Sequence, residues 1–185
     1  MRAYDQAMRT WTAVLLCSAI LVGSLLVARQ GWATTGPETV PHVDVVRYAG
    51  LWYEVARLPM PFQKKCAADV TATYTLRPNG TVDVLNVCRK ANGKVTRAHG
   101  TAKLATRDGS NSKLKVTFFW PFSGRYWVLD LDPEYRWAMV GTPDRKYLWV
   151  LSRTPKLDPE VLERLLARAH QMGYSTERMI YTKQG

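Results

Sequence analysis

Few residues in this chain have the type and spacing for covalent chemistry. The three histidines, His42, His99 and His170, fall in a leader segment, a strand and a helix. None has a metal-ligand spacing or stands beside a nucleophile motif. There is no nucleophile elbow, paired-cysteine zinc motif or phosphate-cradling glycine loop, so no catalytic residue, metal site or cofactor is assigned, haem and bilin included. What the chain holds in quantity is rings, seven Trp and nine Tyr. Broad, partly polar side chains of this kind build cores and cavities.

With 185 residues, 46% hydrophobic and 22% charged, the chain has room for one globular domain and about thirty residues more. The formal charge is +11. Without residues 1–33, which hold Arg2, Arg9, Arg29 and Asp5, 23 basic residues face 14 acidic ones, a net +9. Lys64-Lys65, Arg89-Lys90, Lys113 with Lys115, and Arg145-Lys146 lie in separate segments. That spread describes a solvated basic surface or a preference for anionic membrane, and no nucleic-acid motif accompanies it.

Residues 10–28 carry no charge and are mostly aliphatic, with Arg2 and Arg9 ahead of them. Gly31-Trp32-Ala33 places small residues where a secretory signal is cut, so 1–33 reads as a signal peptide. An uncleaved anchor is the alternative, because about 18 apolar residues just span a bilayer. Leu16, rather than a small residue, precedes Cys17, and apolar sequence continues to Ala28. This arrangement does not suit an acylated cysteine, so the expectation is export to the periplasm or outer membrane without a lipid anchor. Residues 34–49 form a leader.

Residues 50–154 alternate in short segments divided by turn residues, as in an all-β barrel or sandwich. Strands are expected at 51–58, 70–76, 81–89, 94–105, 113–119, 125–131, 137–141 and 147–153. Val70 to Leu76 alternates apolar residues with Thr, and Arg77-Pro78-Asn79-Gly80 is a tight turn. Short connections make neighbours antiparallel. Eight such strands with no crossover helix predict an eight-stranded antiparallel up-and-down barrel, wide enough inside for one small ligand. Residues 155–185 follow as a helix and a short strand. Asp158-Pro159-Glu160 starts the helix, and Val161, Leu162, Leu165, Leu166 and Ala169 form one apolar stripe. One C-terminal α-helix therefore packs outside the barrel.

Cys66 and Cys88 sit at the open ends of the second and third strands, and an exported chain with two such cysteines is expected to pair them. Register about the turn is off by roughly four residues, which a bulge or the loop before Val70 must absorb.

Gly50-Leu51-Trp52-Tyr53-Glu54-Val55 is similar to the Gly-x-Trp motif that opens the first strand of lipocalins. Tyr147 to Pro155 resembles their eighth strand, ending in its Arg153. Tyr135-Arg136-Trp137-Ala138-Met139-Val140, ahead of Gly141-Thr142-Pro143-Asp144, stands for the middle motif. In order and at these spacings, they resemble the bacterial outer-membrane lipocalins of the apolipoprotein-D-like branch over 43–181. Many of those members are lipoproteins, a feature this chain's leader does not match. The resemblance implies binding, storage or transport of a fatty acid, lysophospholipid or similar lipid in the cell envelope, without catalysis. An envelope structural or interaction protein and a lipocalin-fold enzyme are the alternatives.

Gly50, Trp52 and Arg153 would then be structural, with Arg153 over the Trp52 ring plugging the end where the first strand begins. If Trp52 and Arg153 point inward, period two turns Glu54, Ala56, Leu58, Tyr147 and Trp149 inward as well. The apolar faces add Tyr74, Asn86, Val116, Phe118 and Tyr126. The expected ligand contacts are Trp149, Tyr126, Tyr74, Phe118, Val116, Ala56 and Tyr147, with Glu54 and Asn86 placed to hold a polar head. The opposite, open rim carries Met60, Phe62, Trp120 and Phe122, which could touch a membrane or fold over as a lid.

Overall fold

A computed structural model describes residues Gly36–Gly185. The proposed signal peptide, its cut site and Cys17 lie outside the described residues.

The chain enters through a short helix, α1 (Val45–Tyr48), whose first amides are capped by the Asp44 side chain. Eight strands follow: β1 (Gly50–Arg57), β2 (Ala68–Leu76), β3 (Val82–Arg89), β4 (Val95–Leu104), β5 (Lys113–Phe119), β6 (Phe122–Leu131), β7 (Trp137–Gly141) and β8 (Leu148–Ser152). Each pairs antiparallel with the next, and β8 and β2 both pair with β1, so the sheet closes. The expected eight-stranded barrel is thus formed, with strand bounds shifted by a few residues. The largest shift is at the β5–β6 hairpin, which stays paired to Phe119 and Phe122 and turns on Trp120-Pro121.

The long helix α2 (Pro159–Gln171) lies outside. The Asp158 carboxylate accepts the Glu160 amide at its start. Its stripe of Leu165 and Ala169, flanked by Val161, Leu162 and Leu166, packs on Leu129, Trp137, Met139, Leu148 and Val150. These are the outward residues of β6–β8. Gly141 has no side chain because the Tyr174 ring occupies that space, its hydroxyl donating to the Thr142 carbonyl.

β1 runs beside β2 only from Gly50 to Tyr53. Above that the two strands part, and a short final strand, β9 (Ile180–Tyr181), pairs with Ala56 and Arg57. The tail continues upward in the fork. Lys183 bridges to Ala68, the Asp69 amide donates to the Lys183 carbonyl, and the Gln184 amide donates to the carbonyls of both Glu54 and Val70 at 2.8 Å. The carbonyls of Glu54, Val55 and Val70 and the Asp69 amide thus find partners in the tail.

The disulfide joins Cys66 and Cys88 with Cα atoms 5.5 Å apart. The missing register is taken up by an irregularity between Ala68 and Thr71, where Asp69 adopts φ 52°. Closing a loop of this size stabilises the fold by about 3 kcal/mol.

A second irregularity changes which residues face the interior. Glu54 pairs with Leu151, but Ala56 pairs with Val150, so Val55 is a bulge. Directly opposed residues share a face of the sheet, and Leu151 points in while Val150 packs under α2. Ala56 and Leu58 therefore face outward into the helix-covered core, correcting the period-two expectation that both line the interior. Arg57, opposite Trp149, turns inward in their place.

Candidate functional site

The barrel interior has a packed side and a hollow side. Val128, Ala138, Val140 and Leu151, from β6–β8, are fully buried with Trp52. The inward residues of β2–β5 pair as Ala72 with Asn86, Tyr74 with Val84, Asn86 with Ala98, and Ala102 with Val116. Ala98 is exposed although it shares the inner face with Asn86, and Ala72, Asn86, Val116, Phe118, Tyr126, Tyr147 and Trp149 are only partly covered. Side chains that point inward yet stay accessible mark a hollow that is not packed solid. Gly100 helps to shape it, since a Cβ there would lie 2.9 Å from the Phe118 ring.

The base is built around Arg153. Its Cζ stands 3.8 Å from the Trp52 ring centroid, a stacking worth about 1–2 kcal/mol when sheltered. Its guanidinium donates to the carbonyls of Arg47, Tyr48, Ala49, Leu51 and Tyr135, and the Trp52 indole N–H also donates to Tyr48. Arg153 thereby ties α1 and the start of β1 to the end of β8. Gly50 is needed here for its φ of 96°, and an added Cβ would crowd the Arg153 guanidinium.

Above the base lies a knot of three phenols. Tyr126 shares hydrogen bonds with Tyr48 at 2.8 Å and with Tyr74 at 3.0 Å, and the Tyr48 ring packs on Trp52 and Tyr74. Tyr74 and Tyr126, expected to be free contacts, thus form the floor of the hollow with their hydroxyls already partnered. Burial is the main reason that all three phenols titrate above the ordinary range, Tyr74 being pushed up to about 12. Tyr48 comes from the leader helix, where no strand alternation could have pointed to it.

The plug covers only part of this end. Beneath the phenols a void of about 30 Å³ is lined by Val43, Val82, Ala102, Leu114, Val116 and Val128. That is room for a water or two, not a lipid chain. It adjoins a groove of about 370 Å³ between Val45 and the lower ends of β2–β5.

Near the rim the hollow carries an interior polar cluster. Glu54 accepts from Gln63 Nε2 at 2.5 Å and from Thr182 Oγ1 at 2.6 Å, and lies 3.2 Å from Arg57 Nε. Gln63 in turn accepts from the Trp149 indole at 3.3 Å. Burial raises the Glu54 carboxyl above its usual range, opposed by Thr182, Gln63 and Arg57. Asn86 Oδ1 is buried on the same inner face without a partner. Sequence alternation placed Glu54, Asn86 and Trp149 here but missed Arg57, hidden by the bulge, and Gln63 and Thr182, which arrive on a loop and a tail. Tyr147 stands at the rim between Trp149 and Phe62.

Around the mouth, Phe62, Phe119, Trp120 and Phe122 are between 67% and 89% exposed. These four do not fold over as a lid, whereas Met60, expected to share the open rim with them, is buried. Lys64 and Lys65 lie on the Phe62 loop, and Lys90 and Lys94 flank the β3–β4 turn at the same rim.

A closed eight-stranded barrel with an accessible interior and one outer helix defines a ligand-holding calyx, and among the described residues no His, Cys, Asp or Glu cluster could hold a metal ion. The chain belongs to the lipocalin family, whose lipocalin-like domain model matches residues 43–184. It is 42% identical over 154 residues to temperature-induced lipocalin-1 of Arabidopsis thaliana, covering 80% of this chain and 82% of that protein. It is 41% identical over 150 residues to the outer membrane lipoprotein Blc of Escherichia coli (strain K12), covering 80% and 84%. Apolipoprotein D of Bos taurus is 33% identical over 156 residues, covering 80% of each chain. Among solved structures, insecticyanin of the tobacco hornworm Manduca sexta aligns with a TM-score of 0.65 at 21% identity, covering 80% of this chain and 84% of that one. Lobster apocrustacyanin A1 gives 0.63 at 17%, covering 84% and 94%. At such identities the structural likeness speaks for the barrel alone.

The phenol knot has a measurable consequence. A pKa raised in the native state means that the unfolded chain loses its phenol protons first as pH rises from 10.0. Stability is therefore expected to be intact below that pH and to fall as it climbs toward the raised values. Ultraviolet difference titration should show four tyrosines, the three of the knot and the buried Tyr174 beneath the outer helix, ionising only with loss of the fold; smooth titration of all tyrosines in the native protein would contradict the knot.

Proposed function

We propose that the protein binds one small amphipathic lipid, a fatty acid or lysophospholipid, in the hollow between the phenol floor and the aromatic rim, and carries or stores it without turnover. The observation behind this reading is the set of inward yet accessible side chains on β2–β5 and β8, above a floor whose polar atoms are already satisfied. Apolar walls with few polar groups suit a chain-bearing ligand. Phe118, Val116, Tyr74 and Tyr126 would meet the chain, Trp149 and Tyr147 its upper part, and Asn86 and Glu54 its polar end. The cell envelope is the proposed location, in keeping with the relatives named outer membrane lipoproteins. The division into signal peptide 1–33, leader 34–49, barrel 50–154 and C-terminal 155–185 belongs to the same proposal.

The rim supplies a second part of the reading, contact with an anionic membrane surface. Four exposed aromatics on two rim loops can enter the interfacial layer, and the nearby lysines and the surplus of positive charge favour anionic head groups. Nucleic acid is not a partner in this reading, since the basic residues form no continuous track.

Three measurements test it. Trp149→Ala should weaken calorimetric binding of a long-chain fatty acid about tenfold, against little change for Lys146→Ala; equal, negligible effects would remove Trp149 from the site. Trp120→Ser with Phe122→Ser should abolish sedimentation with phosphatidylglycerol vesicles while leaving fatty-acid affinity unchanged; undiminished sedimentation would remove the rim from membrane contact. Mass spectrometry of the protein from its host should find Thr34 at the amino terminus. A lipid-modified Cys17 would overturn the unanchored reading and bring the chain into line with the lipoproteins among its relatives.

A further inference from the structure

The interior cluster at the rim contains an excess of donors. Arg57 is 4% exposed, yet its Nε has no hydrogen-bond acceptor, and Nη1 reaches only the neighbouring Leu58 carbonyl at 3.4 Å. A guanidinium has five N–H groups, and its burial is costly unless acceptors surround it. Glu54, 3% exposed, supplies its one nearby charge, at 3.2 Å. The two sides of that pair are unequally served. Glu54 already accepts short hydrogen bonds from Gln63 and Thr182 and is satisfied without Arg57. Arg57 has no equivalent set. Beside it, Trp149 presents an indole N–H held by a long, easily exchanged bond to Gln63. Arg57 and Trp149 are directly opposed in register, so both donors project from one level of the wall into the hollow.

We propose, building on the lipid-binding reading, that Arg57 and the Trp149 indole form an anion clamp inside the barrel for the carboxylate or phosphate head of the ligand. The lipid then enters tail first. Its chain runs from this level past Ala72 and Phe118 to the phenol floor, and its charged head stops below the rim. A planar guanidinium takes two oxygens of such a head at once, which a neutral hydroxyl head cannot match. The bulge at Val55 is what makes the clamp, because without it Arg57 would point into the helix-packed face.

The test compares ligands with the same chain and different heads on the mature protein by isothermal titration calorimetry. Palmitate should bind about tenfold more tightly than hexadecanol, the gain expected from charge-assisted bonds in a sheltered site. Arg57→Gln should erase that difference while keeping the hexadecanol affinity, and Arg57→Lys, which keeps the charge but not the two-pronged geometry, should keep only part of it. Equal affinity of the unaltered protein for both ligands would overturn the clamp and leave lipid binding standing, a result that needs no variant to fold. Binding of neither ligand would overturn the lipid-binding reading itself. Inorganic phosphate alone should give no saturable heat; if it bound as tightly as palmitate, the site would be one for free anions and the head-group assignment would fall.

Discussion

Everything in this molecule depends on how the backbone of β1 is paired. A sheet closes only if one strand finds partners along both edges, and β1 does so with β8 on one side and β2, then β9, on the other. Closure abolishes the free edge and forces alternate side chains of all eight strands toward a common axis. It also leaves a fork, because β1 and β2 diverge above Tyr53. The C-terminal tail fills that fork, the Gln184 amide meeting a carbonyl from each side. The last residues of the chain are thus part of the wall, and Thr182 reaches from them to Glu54.

Each irregularity in the pairing has a local effect on what the interior contains. The bulge at Val55 exchanges Ala56 and Leu58 for Arg57. The one at Leu129, between Val128 and Asp130, keeps Val128 inside while Leu129 packs beneath α2. The helix is drawn to the face where β6–β8 and the upper part of β1 present apolar residues outward, and on the inner side of those strands Trp52, Val128, Ala138, Val140 and Leu151 pack together, while Tyr126 and Trp149 stay partly accessible. The opposite wall, β2–β5, has no helix over it and carries Ala72, Ala98 and Gly100 within, so the empty space lies against it. Support and cavity are separated by which strands the helix covers.

The two ends also differ in chemistry. At the base, Arg153 satisfies five carbonyls at the junction of α1, β1 and the approach to β7, and the phenols above it use their hydroxyls on one another. Arg153, the Trp52 indole and the three phenols there all have partners. Toward the rim the balance reverses: Arg57 Nε has no hydrogen-bond acceptor, Asn86 Oδ1 is unpaired, and aromatic side chains stand in solvent. A ligand with an apolar chain and a charged head fits this polarity in one direction only. Membership of the lipocalin family agrees with the architecture, while the arrangement of Glu54, Arg57, Gln63 and Trp149 is read from this chain's own side chains.

The amino-acid sequence by itself determined the number and order of the strands, the capped helix after them, the pairing of Cys66 with Cys88, and the inward set of β3, β5 and β8. These follow from local alternation, turn chemistry and capping, which neighbouring residues report directly. Tertiary structure alone decided the rest. Whether a strand carries an extra residue depends on its partners' register, so nothing in Glu54-Val55-Ala56-Arg57 announces that the period breaks there. The phenol knot needs Tyr48, from outside the strands, to meet residues 26 and 78 positions away. Gln63 and Thr182 reach Glu54 from 9 and 128 positions further along the chain. Contacts of that range are settled by closure of the barrel, and a reading of one segment at a time has no access to it.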